Sequence, residues 1–385
     1  MLHDVAVVGA GPIGAAFALA LAEGDLDVVV LDARPPGATL RGDRTLALSH
    51  GTRLILERCG VWTPLCAIPG AVTPIGVVDV SQAGGFGAST LSADLLDLPA
   101  LGYVASYRAL QAAVDTALAR AGIEVRHGET ATSVSGTGTY AAVALAGAAD
   151  PVLARLAAVA DGAGTSVAGI TRRRVDYGQS AIVAKVWRGA AQDGVAFERF
   201  TPHGPIALLP EGDHYGLVWT MTPERAEAAL AQDEGEFLAA LAKAFGARIG
   251  RFKKVEDRRV FPLALEYAPA TIGLRSVVIG NAAQMLHPVA GQGFNLGLRD
   301  AWGLAQAVLD VSDRNEIGSH AMLERYARSR RPDRWAGITL TDGLVRLYGN
   351  DIPWLSWPRG IALTLLDVVP PAKRAFTRVM LHGVR

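Results

Sequence analysis

Cysteine is nearly absent from this chain of 385 residues, Cys59 and Cys66 being the two present. Neither stands in a C-x-x-C or zinc-ligand spacing, and so few exclude a disulfide-stapled secreted scaffold; both are expected to be ordinary core thiols. Net charge is absent as well. Lys+Arg and Asp+Glu balance at 37 each, so no overall field draws the chain to nucleic acid. Charged residues make up 19% against 50% apolar, with a mean hydropathy of +0.25. That is greasy for a soluble enzyme and points to an apolar molecule or surface as a partner. No H-E-x-x-H, Walker loop or EF-hand pattern occurs, so no metal site is expected. Gly164-Thr165-Ser166-Val167-Ala168 falls short of G-x-S-x-G and leaves a serine hydrolase unsupported. Low-complexity segments and internal repeats are also missing.

One uncharged run reaches 18 residues, Val5–Ala22. It carries three glycines and a proline in a regular spacing, and His3 and Asp4 precede it where a leader would have Lys or Arg. Neither a membrane span nor a signal peptide is expected, and the chain reads as cytoplasmic.

That run is better explained as a nucleotide-binding turn. The β-branched stretch Asp4–Val8 feeds Gly9-Ala10-Gly11-Pro12-Ile13-Gly14, then a helical stretch Ala15–Glu23, then a second strand Asp27–Leu31 that ends at Asp32, 18 positions after Gly14. In such a βαβ unit Gly9 permits the tight turn, Gly11 lets the backbone approach a pyrophosphate, and Gly14 allows close helix–strand packing. Asp32 stands where an acid takes a ribose hydroxyl. Its simpler reading is a solvated strand-end acid.

A second station lies at Gly280–Leu304, reading GNAAQMLHPVAGQGFNLGLRDAWGL after the apolar run Val277–Ile279. A buried strand is expected to end in Asn281, followed by a Gly-rich loop that opens into a helix. First-turn N–H groups without intrahelical partners make that helix start a receptor for something electron-rich, a phosphate or the N1/C2=O edge of a reduced flavin. His287 is expected to be a structural hydrogen-bonding residue, with general acid–base work as the alternative.

Between the stations the pattern changes. Ile75–Val80 and Phe86–Leu91 read as a hairpin, Tyr107–Ala121 as an amphipathic helix, Ile123–Arg126 and Leu156–Ala160 as strands, the last running into Asp161-Gly162-Ala163-Gly164. From Val175 to Tyr267 the chain reads as antiparallel, with strands Ser180–Trp187, Val195–Phe200, Ile206–Leu209 and Tyr215–Met221. One helix from Pro223 to Phe245 and a strand Val255–Leu265 complete it. Arg172-Arg173-Arg174 is expected to be a solvated crossover between units, with a phosphate contact as the alternative.

The stations, their order, and the stretches Asp43–Ser49, Gly60-Val61-Trp62, Phe261-Pro262-Leu263 and His287–Asp300 resemble the aromatic-hydroxylase class of flavoprotein monooxygenases with the p-hydroxybenzoate-hydroxylase-like fold. Within it the chain is most similar to the ubiquinone-biosynthesis hydroxylases over nearly its whole length. Most of that family reads GDAAH where this chain has Asn281 and Gln284. The variant GNAAQ and the segment Arg331–Leu347 resemble the 2-octaprenyl-6-methoxyphenol hydroxylase branch.

The resemblance implies an α/β (α+β overall) protein. A Rossmann-like FAD-binding domain would occupy 1–72, 100–174 and 270–312, an inserted antiparallel-sheet substrate domain 73–99 and 175–269, and a helical C-terminal region 313–385. It implies that Gly9, Gly11 and Gly14 hold the FAD pyrophosphate, Asp32 the AMP ribose, Arg44 the phosphate or ribitol side, and Gln111 a flavin contact. Asp161 and Gly162 match the turn serving FAD and NAD(P)H, although Ala160 replaces the usual glycine, and Asn281 matches the ribitol-binding acid. Pro288, Gly291, Gln292, Gly293, Phe294 and Asn295 would line the flavin ring, His287 and Pro288 being the residues nearest the chemistry. The implied reaction is hydroxylation of a polyprenyl phenol, 2-polyprenyl-6-methoxyphenol to its hydroquinol, through a flavin C4a-hydroperoxide, with dioxygen as co-substrate and NAD(P)H or another reductant as electron donor. Another phenol hydroxylase of the pathway, an isoprenoid double-bond reductase and a non-catalytic FAD-binding scaffold are the alternatives. A polyprenyl substrate further implies a peripheral place on the inner membrane face and a quinone-biosynthesis assembly as partner. Trp354, Trp357, Ile361–Leu366 and the cations Arg359, Lys373, Arg374, Arg378 and Arg385 would supply the membrane contact, with a helical cap on the FAD domain as the other reading.

Overall fold

The computed structural model describes residues 1–38, 43–162, 164–189, 194–246, 249–348 and 356–384. The first strand, Leu2–Val8, is buried from His3 onward and lies between Val28–Asp32 and Val152–Val159, parallel to both. Burial on both faces is why these segments are continuous apolar runs rather than alternating ones. Glu124–His127 extends the sheet beside Val28–Asp32, and Ser276–Val278 joins Val152–Val159 in parallel at its far end. Helices Pro12–Ala20, Tyr107–Ala121 and Gln292–Leu309 contribute to one core with this sheet, around Val5, Phe17, Leu110, Leu156 and Leu298. The helix at Tyr107–Ala121 has its expected bounds: Ser106 accepts from the Ala109 amide at its start, and Gly122 ends it at φ +66°. Ala131–Gly136 and Ala141–Leu145 form an antiparallel pair on the other side, which their small residues do not announce as strands.

A second sheet of eight strands runs in the order Gln284–Met285, Phe252–Tyr267, Arg173–Arg188, His214–Met221, Gly204–Glu211, Val195–Thr201, Val77–Gln82 and Ala88–Ser92. It departs from expectation in two places. Val195–Thr201 pairs with Val77–Gln82 in parallel, because these strands come from segments 118 residues apart in register rather than from a hairpin. The single helix expected from Pro223 to Phe245 is two, Pro223–Ala231 and Glu234–Phe245. Asp233 breaks the run, since its side chain accepts from the Glu236 amide while Glu236 reaches back to close a capping box. Both helices pack with Ile182, Ile206, Leu208, Leu217 and Trp219 on one face of the sheet.

The other face looks toward the nucleotide-binding unit. A small antiparallel sheet, Thr45–Ser49 with Gly102–Ser106 and Val72–Ile75, joins the two. Helices His320–Tyr348, Ser356–Val368 and Pro370–His382 complete the described chain, and no described helix is long and apolar enough to cross a membrane. Cys59 is buried as expected, but Cys66 is exposed: it ends a one-turn surface helix whose inward residue is Leu65.

Candidate functional site

The three glycines of the first turn do different things. Gly9 sits at φ +102°, and a Cβ there would lie 2.9 Å from the Asp161 Cα; a Cβ on Gly14 would lie 2.1 Å from the Gly9 carbonyl oxygen. Both are therefore required by the fold itself. Gly11 differs. Its Cβ would meet only the Tyr107 hydroxyl, at 3.8 Å, so the space before it is open. Gly11 is also the N-cap of Pro12–Ala20 and offers no side-chain cap, which leaves first-turn amides facing that space.

Around this opening the sheet ends bring together residues far apart in sequence. Asp32 is buried, but not as a free acceptor: its Oδ1 takes the Arg34 amide at 2.9 Å and its Oδ2 takes Arg34 Nε at 2.9 Å and Nη2 at 2.6 Å. The same Nη2 donates to the Ala10 carbonyl at 3.2 Å, so Arg34 ties the acid to the glycine turn. A ribose hydroxyl must share Asp32 with this guanidinium. Gln111 Nε2 donates to the Ala10 carbonyl at 2.9 Å and to Asp115 at 2.8 Å, while its buried Oε1 has no partner. The Arg44 guanidinium lies 4.2 Å from the centre of the Tyr107 ring, beside the Gly11 opening. Asp161 Oδ2 accepts from the Thr165 amide and hydroxyl at 2.8 and 2.6 Å, and its Oδ1 is buried without a partner; Gly162 follows at φ +92°. Arg172 is more than a solvated crossover: its Nη2 donates to the Ala282 carbonyl at 2.6 Å and reaches the Gly162 carbonyl at 3.5 Å, joining the two stations.

The second station packs directly on the first. The strand stops at Val278, one turn of 3-10 helix covers Gly280–Ala282, and Asn281 projects to the surface from that turn rather than ending the strand. Gly280, at φ +61°, lies against Ile13, and a Cβ on Gly297 would come 2.9 Å from the Gly280 Cα. Gln284 is buried in a polar network, donating to Asp300 Oδ2 at 2.6 Å and accepting from Arg334 Nε at 2.8 Å.

Next comes the loop. His287 is 1% exposed, and its Nδ1 accepts from the Val289 amide at 3.1 Å, which places the proton on Nε2. Burial pushes the ring down to about 4, so it is neutral near pH 7 and serves as a loop brace rather than an acid–base group. Pro288 is exposed, and Ala290 and Gly291 both have φ +58°. For a non-glycine residue such as Ala290 that conformation costs on the order of 1–3 kcal/mol. The helix Gln292–Leu309 then starts without a side-chain cap, leaving the amides of Gln292, Gly293 and Phe294 without intrahelical partners. The Gln292 side chain turns inward toward the Ala290 and Met380 carbonyls at 3.3 and 3.4 Å. Asn295 is wholly occupied by protein. Its Oδ1 accepts from the Ser49 amide at 2.9 Å and the Thr52 hydroxyl at 2.7 Å, and its Nδ2 donates to the Ala47 and Gly291 carbonyls at 3.0 and 2.8 Å. It positions the loop against Thr45–Ser49 instead of presenting its side chain to a ring.

Open space before Gly11, two uncapped helix starts, and the unpartnered acceptors Gln111 Oε1 and Asp161 Oδ1 fit an extended dinucleotide with an electron-rich ring at its far end. Arg34, Tyr107, Ser49 and Thr52 belong to this site and were not singled out from sequence. Only Arg34 had a local signal, two residues after the strand-end acid.

Comparison with known proteins agrees with this geometry. The model of the FAD binding domain family matches residues 3–341. Ubiquinone hydroxylase UbiL of Rhodospirillum rubrum is 33% identical, over 97% of this chain and 88% of its own length. The 3-demethoxyubiquinol 3-hydroxylase of Escherichia coli is 28% identical over 96% of each chain. Among solved structures, p-nitrophenol 4-monooxygenase PnpA from Pseudomonas putida superposes with a TM-score of 0.77 at 18% identity, over 100% of this chain and 99% of that one.

Proposed function

We propose, for a chain that belongs to the FAD-dependent hydroxylases of ubiquinone biosynthesis, that its substrate is a polyprenyl phenol, with 2-polyprenyl-6-methoxyphenol the first candidate. The protein is an FAD-dependent monooxygenase. Bound FAD supplies activation of dioxygen and transfer of one oxygen atom to an electron-rich ring carbon, at the expense of a reductant such as NAD(P)H. In this reading residues 1–72, 100–174 and 270–312 carry the cofactor, and 73–99 and 175–269 the substrate.

One observation supports an apolar aromatic substrate above others. On the sheet face turned to the loop, Val80, Ala207, Val218 and Val183 share one row across five strands, each half-buried, with Glu198 between Val80 and Ala207 and the small residues Ala196 and Gly216 beside them. Apart from that one carboxyl, small and branched apolar side chains leave a shallow wall, which is what a ring needs to be aimed while water is kept away. The uncapped Gln292–Phe294 helix start would favour negative charge on the edge of a bound flavin by roughly 0.3–1 kcal/mol, or about 2 where buried. Gly9, Gly11 and Gly14 shape the pyrophosphate site, Asp32 with Arg34 the ribose site, and Arg44, Gln111, Asp161, Gly162 and Asn281 the path between. Complementing a quinone-deficient strain with this chain and identifying the ring-hydroxylated product tests the assignment. Accumulation of the unhydroxylated phenol refutes it.

Gly293 bears on coupling. A Cβ there would meet Leu286 Cβ at 3.9 Å, an ordinary contact, so Gly293→Ala should fold and retain FAD. Its methyl group adds bulk beside the amides that receive the flavin. We expect reduction of FAD to persist while a larger share of consumed oxygen appears as hydrogen peroxide, read by measuring product and peroxide together. Unchanged coupling would make the loop a packing element only.

A tail of many carbons does not leave a bilayer cheaply, at about 0.8 kcal/mol per methylene, so the protein goes to the membrane. Trp357, Ile361, Leu365 and Val368 form a stripe at helical spacing on Ser356–Val368, 68%, 47%, 54% and 62% exposed. Arg374 and Arg378 are exposed on the next helix, and Asp367, the one acid in 356–384, pairs with Lys373 at 2.8 Å. Arg359 is buried instead of offered to lipid, its guanidinium 5.7 Å from the Tyr348 ring centre; Trp354 and Arg385 lie outside the described residues. The same tail is also a cap, since Ser49 Oγ donates to the Leu381 carbonyl at 2.9 Å. Deleting it would damage the flavin site, so point variants are the cleaner test. Trp357→Ser with Leu365→Ser removes about 1.5–3 kcal/mol of apolar burial and should weaken co-sedimentation with anionic liposomes at least roughly tenfold, FAD content unchanged. Equal sedimentation would leave the cap as the tail's only role.

A further inference from the structure

Glu198 lies in the middle of the apolar wall just described. Its neighbours in register are Val80 on one side and Ala207 on the other, with Val218 and Val183 beyond. Two residues along its own strand, Phe200 stacks on Tyr348 at 4.1 Å and packs with Val289 of the loop, so this face of the strand is the one turned to the flavin side. The carboxyl accepts a hydrogen bond from the amide of Ala290, the strained residue of the loop, and its Oε1 is buried with no partner. A carboxyl group without a cation, facing an apolar wall, is costly to keep unless it has work to do.

We propose that Glu198 is the base that takes the hydroxyl proton of an aromatic substrate lying between this wall and the loop. The substrate O–H bond breaks, its electron pair stays on the ring oxygen, and the proton passes to the carboxylate. This rests on the hydroxylase reading above and adds the residue that makes the ring electron-rich.

Burial pushes the Glu198 carboxyl up to about 8, and the Ala290 amide offsets only part of that. An ordinary phenol, near 10, then lies about two units away rather than the about six that separate it from an exposed glutamate. Titratable groups on the surrounding elements leave this balance alone. His287 is neutral, Tyr348 is turned against Phe200, and Glu211 with His214 sits at the far end of the sheet face. Arg199 points to the opposite face, where its Nε donates to the Ala244 carbonyl.

The test uses the full-length FAD-loaded protein, 2-methoxyphenol as probe, and two readouts: the pH profile of product formation, and hydroxylated product per oxygen consumed. In the wild type product formation should rise with pH through about 8, where the carboxyl becomes a carboxylate able to take the phenol proton. Glu198→Gln keeps a carbonyl oxygen for the Ala290 amide. It should lose product at least roughly tenfold together with the rise through about 8, and keep FAD content and the rate of flavin reduction. Glu198→Asp should restore product formation and its pH dependence in part. The proposal is overturned if Glu198→Gln forms product with the same yield and pH profile as the wild type. It is also overturned if product formation by the wild type shows no rise with pH through about 8, or if Glu198→Gln loses FAD while Glu198→Asp retains FAD without regaining product. A wild type that makes no hydroxylated product at any pH refutes the hydroxylase reading, whereas product formation that Glu198→Gln leaves unchanged refutes the base alone.

Discussion

Gly11→Val should yield a folded protein that does not retain FAD, whereas Gly14→Val should fail to fold. The two positions are three residues apart in one turn, and a motif alone would treat them alike. At Gly11 the new side chain meets only the Tyr107 hydroxyl, at 3.8 Å for its Cβ, so the protein accommodates it. What it displaces is the pyrophosphate's approach to the uncapped amides of Pro12–Ala20. Charge-assisted hydrogen bonds are worth about 1.5–3 kcal/mol each, so losing two weakens FAD binding by at least roughly a hundredfold. At Gly14 the Cβ would stand 2.1 Å from the Gly9 carbonyl oxygen, 3.1 Å from Ala160 Cβ and 3.2 Å from Val7 Cγ1. No rotamer relieves a clash between Cβ and backbone, and the cost exceeds the about 1–3 kcal/mol typical of overpacking. Flavin absorbance per protein and far-ultraviolet dichroism separate the outcomes. Equal flavin occupancy in wild type and Gly11→Val would mean that the turn serves packing alone.

Asp333→Asn should be the most destabilising single change outside the nucleotide turns, by about 3–5 kcal/mol. Asp333 is 2% exposed and receives Arg299 Nε at 2.8 Å, Arg330 Nη2 at 2.5 Å and the Val384 amide at 3.0 Å. Arg330 also donates to Asp300 at 2.9 Å, and Asp300 receives Gln284. Removing one charge therefore leaves two guanidinium groups short of a carboxylate in a dry site, while the remaining amide oxygen can still accept from Val384. Burial pushes the Asp333 carboxyl up, but the Arg299 and Arg330 guanidinium groups outweigh it and hold it below the usual carboxylate range. Its contribution is accordingly present above the unfolded value, about 3.9, and is lost as pH falls through the lower folded one. Urea unfolding at pH 7 should show the full difference between wild type and variant. Near pH 3 the gap should narrow. A constant gap across that range would place the stabilisation in shape rather than charge.

Local chemistry in the chain determined a good part of this molecule. Strand, glycine turn, helix and strand-end acid follow one another within 32 residues, and Ser106 and Gly122 bound a helix by capping rules that need no tertiary context. The uncapped start at Gly291 likewise follows from glycines preceding an apolar periodic run. Other features depended on contacts that sequence distance conceals. Asn295 stands in the loop motif, yet its side chain bonds to Ser49 and Thr52, 246 and 243 residues away. The helical break at Asp233 was decided by a reciprocal cap competing successfully with apolar periodicity. Glu198 had no motif at all. Strand alternation says only that Glu198 and Phe197 lie on opposite faces, and which face meets the loop is settled by the parallel pairing of Val195–Thr201 with Val77–Gln82 and by Phe200 reaching Val289. Short-range sterics and hydrogen bonds act within a few residues and can be read along the chain; the aim of a buried side chain depends on how whole sheets and helices come to rest against each other.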